Sequence, residues 1–233
     1  MENIPTLHRH RINHLKVRWP AWVALLAVAV LYEALPKSLY WGPRGLMSGV
    51  VGIMIIPLFV TQWRNYLRLN RILGLGVNIL ITLYMIISIV RIVAAVLHGY
   101  IGPGNLLFSS MALWGTNILV FALWYWNLDA GGPNRRELQE GTWFGAFFFP
   151  QMQISLSQDK NMPASIRNWQ ANFIDYLFIA FNTSTAFSPT DTPVLTQWAK
   201  LMSMIQALIS LTIVVMLAAK AISLIEPAEV FLH

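Results

Sequence analysis

The sequence predicts an all-α integral membrane helix bundle of about six transmembrane helices, the fifth short enough to re-enter rather than cross. Three observations carry this. Hydrophobic residues make up 56% of the 233 positions against 11% charged. The apolar residues come in blocks of about twenty, the length that crosses a hydrocarbon core, rather than at amphipathic spacing. Every tryptophan except Trp114 falls at or outside the end of such a block, where an amphipathic indole meets the headgroup region.

The first span, Trp19–Leu35, follows a basic tail carrying Arg9, Arg11, Lys16 and Arg18. Ala27-Val28-Ala29 offers a signal-cleavage pattern, but the apolar run continues to Tyr32 and its flanks fit a retained span. In the second, Gly45–Trp63, the pairs Gly45/Gly49 and Ser48/Gly52 have the small-xxx-small spacing of closely packed helices, read first as internal packing and second as a homo-oligomer contact. The third, Ile72–Leu97, carries Arg91 one turn beyond Ser88, either a snorkelling cation or a buried functional charge. The fourth is Leu106–Trp126. A polar interval follows, too short for a separate soluble core.

The fifth helix, Phe173–Phe187, opens on Asp175, whose carboxylate complements a helix N-terminus. It ends in a hydroxyl-rich break. Thr183, Thr185, Ser188, Thr190 and Asp191 form the candidate polar or pore site, since hydroxyls and a carboxylate can bind a cation or water. Helix capping is the alternative, with Ser188 before Pro189 or Thr192 before Pro193 as the cap. The sixth helix, Gln197–Ile225, carries Ser203, Gln206 and Ser210 at i, i+3 and i+7, hence on one face, where they line a polar path or join helices by hydrogen bonds. The chain thus divides into a basic tail at 1–18, a four-helix membrane region at 19–127, a polar linker at 128–172 and a helix pair at 173–233.

The net charge of +6 lies beside the apolar spans, which suits membrane orientation better than nucleic acid. Lys and Arg concentrate in the tail, in the turn with Arg64, Arg68 and Arg71, and in the linker with Arg135, Arg136, Lys160 and Arg167. Lys37 and Arg44, and separately Lys200, mark the poorer side. The N-terminus is therefore expected in the cytoplasm. If the fifth helix crosses, the C-terminus joins it there, with Lys220 snorkelling toward that face. His10 and His14 have metal-ligand spacing, but with no acidic or thiolate partner nearby they read as part of a solvated basic tail. The chain has no cysteine, His-Glu-x-x-His, nucleophile elbow or phosphate-binding glycine loop. No enzyme is expected, and no catalytic, cofactor or metal residue is assigned.

Phe181-Asn182-Thr183-Ser184-Thr185-Ala186-Phe187-Ser188-Pro189-Thr190-Asp191 resembles the pore-helix and filter segment of potassium channels, F-T-T-x-T-T-V-G-Y-G-D, and the helix from Gln197 resembles their inner helix. Phe181, Thr183, Thr185 and Asp191 match. The filter glycines and tyrosine do not, and Pro189 fixes the backbone where a row of carbonyls would need glycine's freedom. Potassium selectivity is not expected. From Trp124 to Ile225 the chain also resembles an uncharacterised family of bacterial multi-pass membrane proteins. It does so through Trp124-Tyr125-Trp126-Asn127-Leu128-Asp129, Gly131-Gly132-Pro133, Phe149-Pro150-Gln151-Met152 and Asp175-Tyr176-Leu177. That resemblance implies the bacterial inner membrane and no established activity. The expected function is channel-like passage of an ion or small solute, the alternative a non-transporting assembly or partner-binding role. The lipid bilayer is the expected partner in either case.

Overall fold

The computed structural model describes residues 4–39, 42–43, 45–64, 66–138, 145–156, 169–185 and 191–225. These form helices α1 (Ile4–Glu33), α2 (Leu46–Trp63), α3 (Leu67–Leu97), α4 (Pro103–Leu128), α5 (Pro133–Leu138), α6 (Pro150–Leu156), α7 (Phe173–Thr185) and α8 (Gln197–Ile225). The only strand pairing among them is an isolated antiparallel bridge between Phe147 and Val194.

Four helices, α2, α3, α4 and α8, are long and apolar enough to cross a membrane. The other two of the expected six, α1 and α7, are not confirmed on length and composition. In α1, a helix of 30 residues, the described apolar part runs over Trp19–Glu33. The 13 residues of α7 rise only about 20 Å against a core of about 30 Å.

The most buried of these, α4, packs against α1, α3, α7 and α8. The bundle has two ends. At one, Trp22 of α1 stacks edge-on to Phe59 of α2 with ring centroids 5.4 Å apart. There Asn70 of α3 donates to Leu58 O and Thr61 Oγ1, and Asn134 of α5 donates to Leu67 O. Arg64, Arg68, Arg71 and Arg135 all lie here, so this is the basic end. At the far end Ser48 donates to Glu33 Oε1 at 2.6 Å, tying the close of α1 to the opening of α2, and Tyr32 packs edge-on to Tyr84.

The last two helices run parallel. Gln206 Nε2 donates to Ala180 O and Ser210 Oγ to Ser184 O, each pair 26 residues apart. A constant difference in residue number means two helices advancing in the same direction; an antiparallel hairpin would hold the sum constant instead. Both helices oppose α4. Down α7, Tyr176 meets Trp126 and Phe181 meets Trp114. Down α8, Gln206 meets Tyr125 and Ser210 meets Trp114. Both α7 and α8 therefore begin at the basic end. The chain between them turns back, and α8 closes at the far end.

This corrects the expectation of two cytoplasmic termini, which required the fifth helix to cross: α1 opens and α8 closes at opposite ends of the bundle. Lys220 sits toward the far end, not the basic one. Lys200, assigned to the poorer side, joins the basic end. Of the small-xxx-small pairs of α2, Ser48 meets α1 through Glu33, but Gly49 and Gly52 are placed differently from the internal-packing expectation. A Cβ at Gly49 or Gly52 would meet nothing within 4 Å, because that face of α2 points outward.

Candidate functional site

A buried polar seam joins α4, α7 and α8. Gln206, fully buried, is its hub. Its Nε2 donates to Ala180 O at 2.7 Å and to Ser184 Oγ at 2.8 Å. Its Oε1 accepts from the Tyr125 hydroxyl at 2.6 Å. Ser203 lies 3.3 Å from that hydroxyl. One turn deeper, Ser210 donates to Ser184 O at 2.5 Å and accepts from Trp114 Nε1 at 3.0 Å. Asn117 Nδ2 reaches Ser184 Oγ and Gln206 O, each at 3.4 Å, while its Oδ1 has no protein partner. The predicted face of Ser203, Gln206 and Ser210 is thus real. Its hydrogen bonds join helices, as polar side chains do in apolar bundles.

Above the seam, at the basic end, lies a second constellation that the sequence reading did not single out. α4 ends at Leu128, and Asp129 is completely buried. Its carboxylate accepts from the Tyr176 hydroxyl at 2.6 Å and from the backbone N–H of Ala146 at 2.5 Å. Arg136, 3% exposed, folds back from α5 and donates through Nη1 to Trp126 O at 2.9 Å and Asp129 O at 2.7 Å. It thereby satisfies carbonyls that the last turn of a helix leaves open. Its guanidinium also lies 4.4 Å from the Trp126 ring centre and 5.1 Å from that of Tyr176, in cation–π geometry. The reversal needs left-handed backbone at Ala130, Gly131 and Gly132, which glycine adopts without steric cost.

The strand-like segment at 145–149 covers this knot. Gly145 passes so close to Asp129 that a Cβ there would overlap the carboxylate. Phe147, wholly buried, inserts between α4, α7 and α8, its ring against Tyr125, Tyr176 and Trp198. Leu195 N donates to Ala146 O and Phe148 N to Pro193 O, so the return toward α8 is clamped to this segment. Part of the interval expected as a polar linker is therefore a packed closure on the bundle.

The other predicted residues separate. Thr183 and Thr185 donate to carbonyls of their own helix, Ile179 O and Asn182 O. Ser188 and Thr190 lie outside the described residues. Asp191 is exposed and lines an open cleft of about 340 Å³ together with Thr192, Gln151 and Asp175. Asp175 also accepts from Asn172 N at 2.8 Å while Asn172 Oδ1 accepts from Ile174 N, a reciprocal cap on α7. Thr192 does not cap the last helix, since Pro193 and Val194 are extended and α8 opens only at Gln197. Arg91 is partly exposed on α3, with buried Ser88 a turn away and apart from the seam. Among the described residues no cluster of three metal-ligating side chains occurs.

Fold and site together define an all-helical protein with four apolar helices long enough to span a membrane and a parallel helix pair sealed at one end. Comparison with protein-family models, with curated proteins and with solved structures gave no match.

Proposed function

We propose that the chain is a multi-pass protein of the bacterial inner membrane with five crossings, α1 to α4 and α8, and that α7 is a re-entrant half-helix entering from the cytoplasmic side. Its activity is channel-like passage of a cation or small solute. The observation that carries this is the constant 26-residue offset between α7 and α8. A helix of about 20 Å that runs parallel to its successor, with a polar return between them, has the backbone plan of a pore loop. The basic end takes the cytoplasmic side by the positive-inside rule, so the loop enters from the face opposite to that used by potassium channels. The Asp175 and Asp191 carboxylates give the mouth a negative potential suited to a cation. Purified chain in liposomes should then pass a cation that Asp191→Ala slows, with the fold intact. Absence of flux for a panel of cations, anions and small solutes would overturn the reading.

One observation favours a second reading, a non-transporting assembly or partner-binding protein. The hydrogen bonds of the seam run between helices, and Phe147 seals its basic end. On that reading Asp191→Asn leaves partner co-purification unchanged, while Gly145→Ala abolishes it by opening the closure.

A further inference from the structure

A cleft of about 70 Å³ opens at the basic end among α1, α2, α3, the end of α4 and the turn after it, with Trp126 of α4 standing between it and α7. That is room for several waters or one phosphoryl group, and too little for an acyl chain. Two side-chain amides lining it have donors that the protein leaves open. Asn78 is 2% exposed, and its Nδ2 has no hydrogen-bond partner; Gln62 Nε2, equally inaccessible, has none either. Their neighbours differ, since Asn70 Nδ2 donates to Leu58 O and Thr61 Oγ1 and Asn134 Nδ2 to Leu67 O. Buried donors without acceptors are uncommon and call for a partner. Arg71 completes the lining, and none of the lining residues is acidic. Two amide N–H groups without acceptors, one guanidinium and no carboxylate in a single lining suit a tetrahedral oxyanion, which has several lone pairs to accept hydrogen bonds.

We propose that this cleft binds a phosphoryl anion through Asn78, Gln62 and Arg71, presented by an anionic lipid headgroup or by a free phosphate compound. The cleft lies at the depth where the arginines of the α2–α3 turn meet the membrane surface, and basic pockets between helices hold anionic headgroups there. The proposal is independent of transport, and its failure leaves the re-entrant reading untouched.

The test uses the full chain in mild detergent, mixed with phosphatidylglycerol or with phosphatidylcholine, and reads lipid retention by native mass spectrometry and thermal unfolding by fluorescence. Phosphatidylglycerol should be retained and should raise the unfolding temperature, with phosphatidylcholine much weaker. Arg71→Gln should weaken retention by about tenfold, the scale of one lost charge-assisted hydrogen bond. Asn78→Leu should weaken it as well. Arg71 is exposed at the mouth, so its variant reports even if the core substitution does not fold. If millimolar inorganic phosphate displaces the lipid or itself stabilises the protein, a free phosphate compound is the occupant; if it does neither while phosphatidylglycerol binds, the headgroup is. Equal retention of the two lipids, unchanged by Arg71→Gln and with phosphate inert, would mean that the cleft holds only water and would overturn the proposal.

Discussion

Gly145 has no room for a side chain, because the Asp129 carboxylate occupies the place a Cβ would take. Gly145→Ala must therefore push apart the segment 145–149 and the end of α4, and we expect a loss of about 2–4 kcal/mol, the range of overpacked or network-breaking substitutions. Tyr176→Phe removes one of the donors to the same buried carboxylate and should cost about 1–3 kcal/mol. Thermal unfolding in detergent, followed by tryptophan fluorescence, checks both. An unfolding temperature unchanged in Gly145→Ala would mean that the closure does not press on Asp129. At this scale the sequence was least legible. Asp129 and Arg136 stand in the polar interval, where Asp129 closed a resemblance motif and Arg136 counted toward the orientation charge. The backbone reversal through Ala130, Gly131 and Gly132 is what buries both. The run of glycines after an apolar helix was the available signal.

Helix α8 carries its polar residues at a spacing that puts them on one face, and that much is written in the sequence. What the face does depends on its neighbour. Since Gln206 bonds to α4 and α7 at once, Gln206→Leu should destabilise the packing of all three helices. Double-mutant cycles pairing it with Tyr125→Phe should give a coupling of about 1 kcal/mol, typical of interhelical hydrogen bonds in membranes. A coupling near zero would return the face to the role of lining a water-filled path. Helix α7 was legible in its start at Phe173, where Asp175 was expected to serve the helix N-terminus; its expected end at Phe187 lies outside the described residues. Its direction relative to α8 was not, because a short apolar helix followed by a break is compatible with a crossing hairpin and with a re-entrant loop alike.

For the whole molecule, the two arrangements differ in which face of the membrane the return loop touches. The chain has no cysteine, so single introduced cysteines report cleanly. Asp191→Cys and Arg68→Cys should be labelled from the same side by a membrane-impermeant reagent, and Lys37→Cys from the other. Labelling of Asp191→Cys together with Lys37→Cys would overturn the parallel arrangement. The charge bias supports the expected outcome, since moving Lys200 to the basic end leaves the poorer side with Lys37 and Arg44 of the connection between α1 and α2. Burial of Arg136 removes one charge from the orienting set without reversing it.

By itself the sequence determined the solvent of this protein, the positions of its long helices, the polar face of α8 and the charge asymmetry between its ends. Each follows from local composition or from periodicity, which a chain carries whatever its fold. Tertiary structure alone decided the direction of α7, the burial of Asp129 with Arg136 and Tyr176, and the closure by residues 145–149. These depend on contacts between segments tens of residues apart, where backbone reversals and hydrogen-bond partners are chosen by packing and no local pattern specifies the choice.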